Sequence, residues 1–176
     1  MRPMASFGML IGLIIGLAIA MALFRFSNTN KKFKTEYDER QRELRGKGYM
    51  LGFYTIVFYE VFMMFLAIGE FELPITDYAL HFGGIILGCI VLSAYCVWHG
   101  VYWGLNNNRK RYIVVFAVCA ALNMIPLIGL FRGEGLTADG KLGAPIVNIM
   151  VLIMMAILAI ELIIKEALDR REKEED

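Results

Sequence analysis

Five apolar runs, each about 20 residues or longer, dominate the sequence, and about 20 residues is what a helix needs to cross a hydrocarbon core roughly 30 Å thick. They fall at about residues 4–26, 49–68, 78–103, 112–131 and 145–164. Within hydrocarbon every backbone polar group must be satisfied inside its own segment or a closed sheet, which makes runs of this length helices. Tyr49, Tyr78, Trp98, Tyr102, Trp103 and Tyr112 stand at or near the run ends, where amphipathic rings prefer the headgroup level. Of 176 residues 58% are hydrophobic and 20% charged, beyond the roughly 45–50% apolar content of soluble domains. The expected fold is all-α: one domain over residues 1–176, a polytopic membrane protein built as a bundle of five transmembrane helices.

Orientation follows from the basic residues between the runs. Residues 25–48 hold eight Lys and Arg, residues 105–111 three and the tail from Lys165 four, against Arg2, Arg132 and Lys141 on the other side. Fifteen against three places the N-terminus outside, the C-terminus inside, and the loop 27–48 and tail 165–176 in the cytoplasm. Ala18-Ile19-Ala20 and Ala20-Met21-Ala22 resemble a signal-peptide cleavage site. Cleavage there would invert the charge rule for every later span, so that reading is rejected.

Gly8, Gly12 and Gly16, with Ala20, form a small-xxx-small stripe on the first run, a pattern that lets a second helix approach closely. Gly84 and Gly88 do the same on the third. In the inner loop Thr35 reads as an N-cap with Asp38 at the reciprocal capping position, and Glu36 with Arg40 and Asp38 with Arg42 are spaced as helical ion pairs. The spacing therefore predicts a short amphipathic helix on the inner leaflet, broken at Gly46 and Gly48. Its basic residues, Lys31, Lys32, Lys34, Arg40, Arg42, Arg45 and Lys47, are the candidate surface for anionic lipid or a partner protein. Past Ile164, pairs such as Glu161 with Lys165 and Glu166 with Arg170 predict that the last helix continues into water.

Polar residues inside the runs are costly and point to function or to interhelical hydrogen bonds. Counted from the inner run ends, Glu60 and Asn123 each lie 11 residues in, near the midplane, with Ser93 and Tyr95 at that level. His99 and Glu161 form an inner pair, and His81 and Asn148 an outer layer. His81, Gly88, Leu92, Tyr95 and His99 share one face of the third run. Glu60 has only apolar neighbours on its own helical face, so as an isolated acid it stays protonated unless water or a cation reaches it.

Catalytic patterns are missing: the sequence has no H-E-x-x-H, Walker loop, G-x-S-x-G or glycine-rich dinucleotide turn. Cys89, Cys96 and Cys119 all fall within apolar runs and have neither disulfide-framework nor metal-ligand spacing. Haem held by two histidines would need a dimer about the third helix. No cofactor, metal or enzymatic activity is expected, and a net charge of +1 gives no reason to expect nucleic acid.

The stretch YDERQRELRGKGY, residues 37–49, followed by an aromatic-rich span, resembles small multispanning membrane proteins of Gram-positive bacteria, in which a D-E-x-Q segment precedes R-G-K. The resemblance covers about a fifth of the chain. It implies a multi-pass protein of the bacterial plasma membrane and brings no activity with it. Two functions are then in view. One is an accessory or regulatory subunit that engages a membrane protein, another copy of itself or anionic lipid through the basic loop. The other is a small transporter or transport subunit with Glu60 as its coupling carboxylate. The orientation is tested by a thiol placed at Thr35: a membrane-impermeant reagent should reach it only after permeabilisation, and labelling in intact cells would reverse the topology.

Overall fold

The computed structural model describes residues 3–131, 135, 137–138 and 140–175. Among the described residues the regular elements are helices apart from one hairpin of two-residue strands: α1 (Pro3–Ser27), α2 (Glu39–Ile68), α3 (Asp77–Trp98), α4 (Arg109–Phe131), β1 (Thr137–Ala138), β2 (Lys141–Leu142) and α5 (Ala144–Glu175). Helices α2 to α5 are long and apolar enough to cross a bilayer, and in α1 the stretch Ile14–Ser27 is a shorter apolar helix. Arg2 and Arg132, counted above for orientation, lie outside the described residues. The chain divides into two compact units, one of Met1–Asp38 with Trp103–Ala117, the other of Glu39–Tyr102 with Val118–Asp176.

In the larger unit α3 packs against both α2 and α5. The α2–α3 contact is built on two glycine pairs, Gly48 with Gly52 on α2 and Gly84 with Gly88 on α3. A Cβ at Gly52 would stand 2.9 Å from the Gly88 carbonyl oxygen, and one at Gly88 would stand 2.5 Å from Ile56 Cγ1 and 3.0 Å from the Gly52 carbonyl oxygen. Without side chains there the two backbones touch, and close backbone packing is the main attraction between helices in lipid. Gly48 receives Tyr95, Leu92 and Cys96, while Gly84 receives the Tyr59 ring. Each turn forward along α2 thus meets a turn back along α3. The described core is small, with Ala79, Ile86, Cys96, Val97, Val101 and Met155 buried. Phe53, Phe58, Phe62 and Phe65 on α2 are 59–72% exposed, an apolar surface far too large for water.

Three expectations are corrected. Helix α2 runs unbroken through Gly46 and Gly48 and begins at Glu39, so no helix starts at Thr35. Glu36 pairs not with Arg40 but with Lys32 Nζ at 3.0 Å and the Asn30 amide at 3.1 Å. The third helix ends at Trp98 rather than near 103, because Gly100 at φ +68° closes a Schellman turn. In that turn the Val101 N–H donates to the Cys96 carbonyl at 2.8 Å and the Gly100 N–H to Val97 at 3.0 Å. Arg45 completes the cap by donating to the Val101 and Tyr102 carbonyls at 3.1 and 3.4 Å. At the other end of the chain α5 continues to Glu175, with Lys165–Asp169 and Arg170–Glu166 pairs on its polar part.

In the smaller unit asparagine side chains replace the expected helix. Asn28, fully buried, accepts from Asn107 Nδ2 at 2.8 Å and donates to the Lys32 carbonyl at 2.9 Å. Asn106 accepts from the Glu36 N–H at 2.8 Å and donates to Asn30 Oδ1 and the Lys34 carbonyl, both at 3.1 Å. An amide side chain offers the same donor and acceptor as a peptide group, so it can bind extended backbone that a helix would have satisfied internally. Gly104 is required there: a Cβ would stand 2.8 Å from the Glu36 carbonyl oxygen.

The two glycine patterns should respond differently to a methyl group. Gly88→Ala should lower stability in detergent by about 1–3 kcal/mol, as overpacking does. Gly12→Ala should be neutral or stabilising by up to about 1 kcal/mol from helix propensity, since a Cβ at Gly12 or Gly16 meets nothing within 4 Å. Thermal unfolding of both variants tests the contrast. The surroundings of Gly8 lie outside what the structure describes.

Candidate functional site

The α2–α3 register brings Glu60 to His81, with Glu60 Oε2 and His81 Nδ1 2.7 Å apart. Two neighbours make this geometry. Gly84 has no side chain where Glu60 needs room, since a Cβ there would stand 3.2 Å from Glu60 Oε1. Tyr59 donates its hydroxyl to the Leu80 carbonyl at 2.8 Å and so ties the helices together on either side of the pair. A carboxyl and an imidazole at this distance share a hydrogen bond whose donor depends on which of the two carries the proton.

That cavity has a volume of about 760 Å³ and opens at the end of the helices where α2 meets α3. Its polar wall is Glu60, Glu70, Glu72, Asp77, His81 and Lys141, four carboxylates against one lysine. Met63, Met64, Phe71 and Leu80 supply an apolar side. The rim is fastened by the short hairpin: the Thr76 N–H donates to the Leu142 carbonyl at 3.0 Å and the Leu142 N–H to Pro74 at 2.8 Å. Among the described residues no three His, Cys, Asp or Glu side chains are placed to hold a metal ion. The acids form a diffuse negative wall, which suits a proton, a monovalent cation or an organic ammonium group.

Glu70 sits at φ +56°, in the left-handed region. It occupies the glycine position of a second Schellman turn, with the Phe71 N–H donating to Leu66 at 3.0 Å and the Glu70 N–H to Ala67 at 3.1 Å. Gly69, one residue earlier, does not take that place. A glutamate there carries strain of about 1–2 kcal/mol, at a residue that lines the cavity.

Asn123, Asn148, Ser93 and His99 find their partners within their own helices. Asn123 Nδ2 donates to the Cys119 carbonyl at 2.9 Å, Asn148 Nδ2 to Ala144 at 3.4 Å and Ser93 Oγ to Ile90 at 3.0 Å. His99 stacks on Tyr95 with ring centres 3.9 Å apart, and its Nδ1 lies 2.8 Å from the Tyr95 carbonyl oxygen. The midplane cluster of Glu60 with Asn123, Tyr95 and Ser93 is therefore not what Glu60 joins, and His99 does not pair with Glu161, whose Oε2 is buried without a hydrogen bond. A helix offers its own carbonyl four residues back to any short amide or hydroxyl, and those bonds form first. Of the basic loop, Arg45 is committed to the α3 cap and to the Tyr49 hydroxyl at 3.0 Å, Lys32 to Glu36, and Lys47 to Glu43 at 2.8 Å. Lys31, Lys34, Arg40 and Arg42 are exposed.

The class defined by this fold is an all-helical protein with four helices long and apolar enough to span a bilayer, carrying an acidic cavity at one end of its α2–α3 hairpin. No protein-family model, curated protein or solved structure matches the chain.

Replacing Glu70 by Gly should remove the left-handed strain and raise stability by about 1–2 kcal/mol, while weakening the retention of cations by the cavity. Thermal unfolding with and without a tetraalkylammonium salt measures both. A variant that is no more stable would show that the turn carries no strain.

Proposed function

We propose that the chain is a five-span protein of the bacterial plasma membrane, N-terminus outside and C-terminus inside, acting as a small transporter or transport subunit with Glu60 as its coupling carboxylate. The observation that carries this reading is the 2.7 Å Glu60–His81 pair on the wall of an acidic cavity. With the orientation given by the basic residues, that cavity faces the outside. A proton or cation entering there meets Glu60 about two turns in from the end of α2, beside the His81 ring.

A second reading, an accessory subunit that engages a partner or anionic lipid through its basic segment, is favoured by the exposure of Lys31, Lys34, Arg40 and Arg42. It is the weaker of the two because Arg45, Lys32 and Lys47 have internal partners.

Purified protein in proteoliposomes on a solid-supported membrane should give a transient current on an acid, sodium or tetraalkylammonium jump. Glu60→Gln, which keeps hydrogen bonding and cannot titrate, should abolish it, as should Glu60→Leu. Full current in Glu60→Gln with loss in Glu60→Leu would make Glu60 structural, and a wild-type protein silent to all three jumps would remove the transport reading.

A further inference from the structure

We infer that the pocket at the end of α1 binds the phosphate of an anionic phospholipid. It has a volume of about 400 Å³ and is bounded by Ala22, Arg25, Phe26, Lys31 and Arg111, all within the smaller unit. Three cations and no carboxylate bound it. Among the described residues none of the three makes an ion pair. Charges of one sign held together without a counter-charge call for an anion, and two guanidinium forks with an ammonium group match the oxygens of a phosphate.

The cations are held in place by the backbone. Arg111 Nη1 donates to the Phe26 and Asn28 carbonyls at 3.2 and 3.3 Å, and its guanidinium lies 5.5 Å from the Phe26 ring centre. The Arg25 guanidinium lies 5.3 Å from the Phe33 ring centre. Lys31 has left-handed backbone, φ +54°, in a turn where its N–H donates to the Asn28 carbonyl at 3.2 Å. Asn28 is itself fixed by Asn107. The asparagine network therefore sets the position of Lys31 relative to Arg111.

A lipid headgroup, rather than a soluble phosphate, is indicated by what lies next to the pocket. Arg25 is in the last turn of α1 and Arg111 is near the start of α4, so the cations stand where the apolar runs end, at headgroup depth. From Ala22, residues Ile19, Ile15 and Ile11 follow down α1 at spacings of three and four, each 54–55% exposed. That stripe is a track for an acyl chain whose phosphate sits among the three cations.

The inference rests on insertion of the chain in a bilayer and not on the role of Glu60, so current measurements and lipid measurements fail independently. In native mass spectrometry of the full chain from mild detergent, phosphatidylglycerol should be retained at least about tenfold more tightly than phosphatidylcholine. Arg25→Gln with Lys31→Gln, which leaves the Arg111 contacts intact, should reduce that retention by about tenfold or more, in line with the usual contribution of basic residues near anionic headgroups. Arg171→Gln, exposed in the last turns of α5 and outside the pocket, should leave it unchanged. On the wild-type protein a photoreactive phosphatidylglycerol should crosslink to residues 22–31, a readout that needs no variant. Equal retention of the two lipids, unchanged retention in the double variant, or crosslinks confined to other segments would overturn the assignment. Displacement of the lipid by millimolar inorganic phosphate would also overturn it, by making the site one for a soluble anion.

Discussion

The contact between the Gly52 and Gly88 backbones determines most of what matters in the larger unit. Two helices in lipid gain little from burying apolar side chains, because lipid is as apolar as they are, and what remains is close packing. Backbones can touch only where side chains are missing, so the glycines set the crossing point and with it the register. Once Gly52 stands opposite Gly88, Tyr59 must meet Gly84 and Glu60 must meet His81. The polar pair follows from the packing of residues that carry no chemistry.

This explains which parts of the site could be read in the sequence. The apolar runs gave the number and order of the helices, since length and hydropathy are properties of single segments. Glu60 and His81 each stood out as ionisable groups in apolar runs, but their pairing depends on two helices at once. Depth puts them in different layers because Glu60 is counted from the inner end of its run and His81 from the outer end of its own, while the α2–α3 register brings the two to one level. The usable signal was the spacing Gly48-xxx-Gly52 and Gly84-xxx-Gly88. Aligned antiparallel, it brings Glu60 to His81, but in a polar segment Gly46 and Gly48 equally suggest a helix break. In lipid, glycine inside a helix is a packing residue more often than a stop.

Helix ends show the opposite case, where local chemistry decides. Gly100 stops α3 because a left-handed residue costs glycine nothing, and Arg45 supplies donors to the carbonyls beyond it. A guanidinium with these duties is withdrawn from the basic surface it belongs to by sequence. Asn28 and Asn106 act similarly, with Asn107 fixing Asn28, holding extended backbone in a segment whose charge spacing favours a helix. Amide groups that compete for backbone donors and acceptors override ion pairs worth only tenths of a kcal/mol in water.

The continuity of α2 has a mechanical consequence. Its 30 residues form a rod about 45 Å long at about 1.5 Å per residue, half as long again as a hydrocarbon core of about 30 Å. Arg40 and Arg42 at one end and Glu60 near the other ride on the same stiff element, with no break at Gly46 or Gly48 to absorb torsion. Any turn of the rod about its axis would have to break the Gly52–Gly88 backbone contact and the Arg45 cap on α3 together. The charged start of α2 and the Glu60–His81 pair are thereby kept in one fixed relation by a single shaft.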